Sequence, residues 1–195
     1  MKIYTRTGDD GTTGLLFGGR VAKDSATIEA NGAIDEAQAV LGLVRAEVER
    51  GSELDAILVG LERDLYVLMA EVATAAQNRH KLTPGTTMVT SEMVGALEAR
   101  IDELSGRFAP IKDFVLPGHD RVAAGLDLAR TVARRAERAA LAVFPPSTGG
   151  DGSFAGRYLN RLSDLLWTMA RWQEHGDSLL SRRVVGSGRS RKADT

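Results

Sequence analysis

Apolar residues return every three or four positions through most of this chain. Ile34, Ala37, Leu41, Val44 and Val48 keep the i, i+3, i+4 spacing that gathers side chains on one helix face. That spacing predicts a first helix from about residue 26 to the Gly51-Ser52 break. Leu54, Leu58, Leu61, Leu65, Leu68 and Val72 mark a second helix, from about 52 to 76. Val94, Leu97, Ile101 and Leu104 mark a third, from about 91 to 104. Asp120 is placed to N-cap a fourth, which Pro145 and Pro146 end because neither can continue a helix. A fifth covers about 155 to 174. The stretches "QNRHKLTPGTT" and "GRFAPIKDFVLPGH" are irregular connectors, the first with a Pro-Gly turn. Residues 1–23 are Gly- and Thr-rich and read as a loop with room for one short strand, while 179–195 read as a flexible tail. The expected fold is all-α, a five-helix bundle spanning 24–178 behind an N-terminal loop.

Composition narrows the chemistry. The 195 residues carry a formal net charge of −1, so no global field favours nucleic acid or a membrane, and any anion site must be local. With no cysteine, thiol nucleophiles, disulfides and zinc–thiolate centres are excluded. His80, His119 and His175 are too scattered for a metal-ligand spacing. There is no apolar signal segment and no run of about 18 apolar residues. The setting expected is soluble and cytoplasmic.

The fourth helix departs from a plain amphipathic pattern. Arg130, Arg134 and Arg138 recur every fourth residue and so form a rail about 12 Å long, where like charges repel by a few tenths of a kcal/mol per pair. Beside them, Leu126, Ala129, Ala133, Ala136, Ala140 and Val143 make a small, apolar face. Asp127 and Glu137 lie on or next to the arginine arc and are placed to share its charge. Between Asp120 and Arg138, five arginines still outnumber three acids. Two readings fit: a solvated face with i, i+4 ion pairs, or a seat for an extended anion the length of a triphosphate. On the fifth helix, Asn160, Asp164 and Arg171 share an arc with Trp167, opposite Leu159, Leu162, Leu166 and Met169. They are either ligand-orienting groups or ordinary surface residues.

The N-terminal "TRTGDDGTTG" supplies close glycines, hydroxyls and an arginine. Successive backbone N–H groups in such a loop can form an anion-binding nest, with Gly8 and Gly11 permitting positive φ. It is not a Walker A motif, since no Gly-Lys-Ser/Thr follows at the required spacing, and a mobile terminus is the plainer alternative.

In this order along nearly the whole chain, "KIYTRTGDDGTTGL", "RVAKDSATIEANGAIDEAQAVLG", "FVLPG", "LDLARTVARRAER" and "YLNRLSDLLWTMAR" resemble the PduO-type ATP:cob(I)alamin adenosyltransferases. The resemblance implies a homotrimer of helical bundles with each active site between two subunits. It implies that the N-terminal loop folds over ATP through Thr5, Arg6, Thr7, Gly8, Asp9, Gly11 and Thr13, with Lys23 following. Arg130, Arg134 and Arg138, with Arg135 and Glu137 in the same motif, would then meet the triphosphate, and Asn160 and Asp164 would lie near the nucleotide. Asp35 matches an acid that pairs across the interface with Arg130, and Phe114 matches the aromatic that excludes the lower axial ligand of the corrinoid. From the residues alone, Phe114 reads equally as a core residue capping the fourth helix. Three positions depart from the family's usual pattern: His119 in "LPGH" for "LPGG", Asp127 in "LDLAR" for "LHLAR", and Gln38 in "DEAQ" for "DELN".

The implied reaction is attack by the Co(I) of a reduced corrinoid on the 5′ carbon of ATP, giving adenosylcobalamin and triphosphate, with Mg²⁺ on the phosphates. The corrinoid is the nucleophile, so no protein nucleophile is needed. The resemblance further implies a cobalamin reductase and an adenosylcobalamin-dependent enzyme as partners. Two other classes stay open: a nucleotide- or adenosylcobalamin-binding sensor or delivery bundle without turnover, and a structural oligomer whose rail makes intersubunit ion pairs.

Overall fold

The computed structural model describes residues 3–145 and 152–181. Five α-helices carry the fold: α1 (Ala26–Ala46), α2 (Glu53–Val72), α3 (Ser91–Ser105), α4 (Arg121–Ala140) and α5 (Ala155–Gln173). Their stripes bury as the periodicity predicts, with Ile34, Leu41, Leu58, Leu65, Leu68, Leu104, Leu159 and Leu162 in one continuous core. Side chains meet the orphan N–H groups at three helix starts. Ser52 accepts from the Asp55 amide, Thr90 from the Met93 amide and Asp120 from the Ala123 amide.

Three boundaries differ from the sequence reading. The first helix stops at Ala46, ahead of the Gly51-Ser52 break, and the chain turns through residues 47–52. The second stops at Val72, and Ala76–Lys81 form a separate 3₁₀ turn. The N-terminal segment holds two short strands rather than one, β1 (Thr12–Gly14) and β2 (Arg20–Ala22), paired antiparallel with Thr13 opposite Val21. Gly18 and Gly19, both at positive φ, close that hairpin. Its tip is pinned to the bundle by the Leu16 amide donating to the Ala73 carbonyl at 2.8 Å. At the other end of the chain, residues expected in the tail are held in part. The Leu116 and Ser181 amides donate to the Leu179 and Phe114 carbonyls at 2.8 and 2.7 Å.

Helix α4 packs most extensively, against α1 on one side and α5 on the other. Ala123, Ala129, Ala133, Ala136 and Ala140 are all buried and present only methyl groups, which lets the neighbouring helices come close. The tightest approach is at Gly125, where an added Cβ would stand 2.7 Å from Val44 Cγ2. Buried polar groups tie the remaining elements. Glu71 Oε2 accepts the Val89 amide at 2.7 Å, and Tyr158 donates its hydroxyl to Asp64 at 2.8 Å, joining α5 to α2.

Two outcomes follow from this packing. Gly125→Ala forces α1 and α4 apart and is expected to cost about 1–3 kcal/mol by overpacking, read as a lower denaturation midpoint. A midpoint equal to wild type would show that Val44 moves freely. Burial raises the Asp64 carboxyl above its ordinary value of 3.8, with the Tyr158 hydrogen bond acting in the opposite direction. The folded state therefore binds that proton more tightly, so the contribution of Asp64 is full at low pH and lost as pH rises through the folded value. Asp64→Asn removes the titration. Its melting temperature relative to wild type is expected to climb from about pH 4 towards neutrality, and a difference that stays constant across that range would refute the assignment.

Candidate functional site

The Ala face of α4 fixes where the arginines point. Arg130, Arg134 and Arg138 fall one turn apart along the edge of the helix that leaves the core, but their environments differ. Arg130 is half-buried and its Nε donates to Asp127 Oδ1 at 3.3 Å. Arg138 is exposed and Nη1 donates back to the Arg134 carbonyl at 3.0 Å. Arg134 is exposed, and among the described residues its guanidinium has no partner. Arg135 turns off the rail to an ion pair with Glu36 of α1.

The expected sharing of charge by acids on the same face holds only in part. Asp127 takes Arg130, yet its other oxygen accepts from Arg171 at 2.6 Å. Among the described residues Glu137 serves no arginine; it faces α5 and accepts from Asn160 Nδ2 at 3.1 Å. That bond forms one wall of a cavity of about 320 Å³ between α3, α4 and α5, lined by Val94, Glu98, Glu137, Leu141, Phe144 and Asn160 among others. Arg161 crosses its rim, donating to Asn160 Oδ1 at 2.7 Å and to Asp164 Oδ2 at 3.3 Å. Asp164 is itself exposed. Glu137, Asn160 and Asp164 thus gather at one end of the bundle, towards the end of α4 and the start of α5, while no arginine of the rail lines the cavity.

The loop over residues 5–13 is built by its own bonds. Thr5 and Thr7 hydroxyls meet at 2.8 Å, and the Gly11 amide donates to the Gly8 carbonyl at 3.3 Å. Asp10 accepts the Thr12 amide and hydroxyl at 2.9 and 2.8 Å, chiefly through which its carboxyl is held below the usual range. Arg20 donates to the Thr7 carbonyl at 2.6 Å. Gly11 at φ 81° and Arg6 at φ 62° sit in the left-handed region, so amides are turned out of the regular strand direction. The Lys23 ammonium lies against Gly8, 3.2 Å from where a Cβ would be. Thr5, Asp9 and Gly11 are open to solvent, and Thr13 is half-buried in β1. The bonds that fix the loop run within the hairpin rather than to the rail. The 3₁₀ turn brings it to the same end of the bundle, since Asn78 donates to the Phe17 carbonyl at 3.3 Å and Arg79 stacks 4.3 Å over the Phe144 ring.

Phe114 is not the core residue that one reading allowed. It is 83% exposed, held by the backbone bracket to residues 179–181. Asp35 is exposed on α1 beside a shallow depression with Gln38, Glu62, Arg63 and Tyr66, and within the chain it does not reach Arg130. Arg171, read from its helical arc as a surface or ligand-facing group, is 1% exposed. It sits between Asp127 and Glu174, its Nη2 donating to them at 2.6 and 2.7 Å, with the Trp167 ring 5.6 Å away. The sequence held no clear signal for it: its partner Asp127 falls on the arginine arc of α4, yet is 4% exposed in the fold and so demands a cation nearby.

With that geometry established, a family model described as cobalamin adenosyltransferase matches residues 3–173. The chain belongs to the cobalamin adenosyltransferase family. A corrinoid adenosyltransferase of Citrobacter freundii is 42% identical over 173 residues, covering 89% of this chain and 95% of that protein. A corrinoid adenosyltransferase PduO of the same organism is 38% identical over 175 residues, and the match covers 50% of its length. Among solved structures, a variant PduO-type ATP:corrinoid adenosyltransferase from Lactobacillus reuteri, complexed with cobalamin and ATP, superposes with a TM-score of 0.80. It is 25% identical, covering 93% of this chain and 97% of that one. All five helices of this adenosyltransferase lie within the family match.

An unpartnered, exposed guanidinium contributes little to folding. Arg134→Ala is therefore expected to change unfolding free energy by less than about 0.5 kcal/mol, measured by denaturant titration at a fixed protein concentration. A large loss would place Arg134 in an intersubunit ion pair.

Proposed function

We infer that this chain transfers the 5′-deoxyadenosyl group of ATP to the cobalt of cob(I)alamin, giving adenosylcobalamin and inorganic triphosphate. The observation that carries the reading is the rail itself, with Arg134 unpartnered among the described residues and three positions before Glu137, which with Asn160 walls a cavity. An electron pair on Co(I) forms the Co–C5′ bond. The C5′–O bond breaks, and its pair leaves on the triphosphate. Negative charge grows on that leaving group, and preorganised guanidinium groups are best placed to stabilise it.

Arg130, Arg134 and Arg138 take the triphosphate, whose extended length matches the roughly 12 Å of rail. The loop closes over the nucleotide through the exposed residues Thr5, Arg6, Thr7, Asp9 and Gly11 and the half-buried Gly8, braced by Thr13, with the Lys23 ammonium already against the loop. Asn160 and Asp164 bound the nucleotide on the α5 side. Mg²⁺ enters with ATP. Among the described residues no three His, Asp or Glu side chains are grouped to hold a metal. A single carboxylate such as Glu137, with phosphate oxygens and water, suits Mg²⁺, which retains several waters. Phe114, apolar and exposed, covers the lower face of the corrinoid so that no ligand reaches cobalt from below. Asp35 pairs with Arg130 of a neighbouring subunit in a homotrimer, which fits its lack of an intrachain partner near the rail.

On this reading, residues 1–23 form the nucleotide loop and 24–178 the catalytic bundle. Part of the remainder, residues 179–181, braces Phe114, and residues beyond 181 lie outside the described structure. No helix among the described residues is long and apolar enough to cross a membrane, and the setting we assign is the cytoplasm. A cobalamin reductase supplies the reduced substrate, and an adenosylcobalamin-dependent enzyme takes the product.

The test is an anaerobic assay with chemically reduced cobalamin and MgATP, following adenosylcobalamin spectrally and triphosphate by chromatography. Both products are expected in equal amounts, with kcat falling by about 10²-fold or more in Arg134→Ala. Phe114→Ala is expected to slow adenosylation that starts from Co(II) far more than it weakens ATP binding. ATP binding without either product would instead make this a sensor or delivery bundle.

A further inference from the structure

The buried charges around Arg171 form a chain that reaches both halves of the site. Arg130 Nε donates to Asp127 Oδ1 at 3.3 Å, and Arg171 Nη2 donates to Asp127 Oδ2 at 2.6 Å. The same nitrogen donates to Glu174 Oε1 at 2.7 Å, while Glu174 Oε2 accepts from the Ser178 hydroxyl. Immediately after Ser178, the backbone of Leu179 and Ser181 holds that of Leu116 and Phe114. Every link from the first arginine of the rail to the exposed Phe114 is a hydrogen bond or a neighbouring residue.

Charge explains why Arg130 stays in place. Asp127 is 4% exposed and Glu174 0%, two carboxylates out of water with one fully buried guanidinium between them. Left alone that cluster carries a net negative charge in a medium that penalises it. Arg130 brings the fourth member and balances it. Binding through Nε leaves the two terminal nitrogens of Arg130 outside the cluster, on the rail side. Arg130 is thus anchored from within and free to act outward.

We propose that Asp127, through Arg171, Glu174 and Ser178, is a positioning residue that sets Arg130 and the Phe114 segment as one unit. This rests on the transferase reading, and it assigns a role to Asp127, a buried carboxylate that the transfer chemistry itself does not use. The link it makes is ionic at both of its oxygens. The network touches neither substrate. Its function is to keep the nucleotide-side arginine and the corrinoid-side aromatic in register, since a misplacement of about 1 Å can cost 10²-fold in rate.

The experiment uses the full chain carrying Asp127→Asn or Ser178→Ala, each checked by thermal melting. Steady-state rates are measured with cob(I)alamin and MgATP varied separately. The electron paramagnetic resonance spectrum of bound Co(II) cobalamin with ATP reads whether a lower ligand is present. Asp127→Asn is expected to lower kcat about tenfold while the KM for ATP moves less than about threefold. Ser178→Ala, which cuts the far end of the chain and leaves the rail intact, is expected to lose the four-coordinate Co(II) signal at an unchanged KM for ATP. A folded variant of either kind that matches wild type in rate and spectrum overturns the proposal. If Asp127→Asn does not fold, Ser178→Ala decides, and a wild-type spectrum there overturns it. Absence of turnover in the wild type would sink the transferase reading instead.

Discussion

The close approach of α4 to its two neighbours is the constraint from which the rest of the structure follows. A helix faced with alanine, and with Gly125 where Val44 presses in, can be gripped along its length by α1 and α5. Such a contact fixes the rotation of α4 about its axis, because every methyl has a matching hollow. The opposite edge is thereby aimed as well. Three long, mobile arginine side chains gain a common direction from a backbone that cannot turn. The cavity lies beside the same contact, since Glu137 of α4 and Asn160 of α5 both line it and bond to each other.

That grip creates an electrostatic problem one turn below the rail. Asp127 comes to lie inside the bundle, and a buried carboxylate needs a cation and further hydrogen bonds. Arg171 supplies the cation from the last turn of α5, and Glu174 and Arg130 complete the set. Such a cluster is weak evidence for stability, because desolvation offsets most of the attraction. What it does supply is a set of directional pairs in which Asp127 holds both Arg130 and Arg171, and Arg171 holds both Asp127 and Glu174. A chain of net charge −1 can therefore hold an exposed stack of like charges without any large excess of base. The first arginine of the stack is claimed by the interior.

How much of this could be read from the sequence depended on how local the cause was. The five helices were legible because each buries a stripe whose period is a property of neighbouring residues, and the capping role of Asp120 was legible for the same reason. The 3₁₀ turn was not, since it is tied to a distant partner through Asn78 against the Phe17 carbonyl, and neither was the second short strand, whose three residues paired with β1 are too few to show an alternating pattern. Arg171 shows the limit most sharply. Its helical arc, beside Asn160 and Asp164, pointed outward, yet its partner lies 44 residues earlier on another helix. Periodicity counts residues along one helix and has no knowledge of which neighbour brings a carboxylate. Phe114 lies in an irregular connector, where no period exists to say whether an aromatic is inside or outside.

The two clearest breaches of ordinary folding logic lie on either side of the buried cluster. A row of like charges with one member unpartnered, and a phenylalanine left in solvent, each work against the free monomer. Between them the stripes are buried and Asp127 and Glu174 are paired. Three of the five helix starts are capped by side chains, and only Arg171 Nε in the buried cluster is left without a partner. Sequences that agree with their fold at every level except a few places tend to depart from it where function requires. The chemistry inferred here has two substrates and no protein nucleophile, so the protein's contribution is limited to position and charge. Such a site requires two surfaces prepared for absent partners, one anionic and one apolar, at a fixed separation. A single buried ionic joint between α4, α5 and the segment after it is an economical way to hold that separation, because it lets neither surface move without exposing a charge.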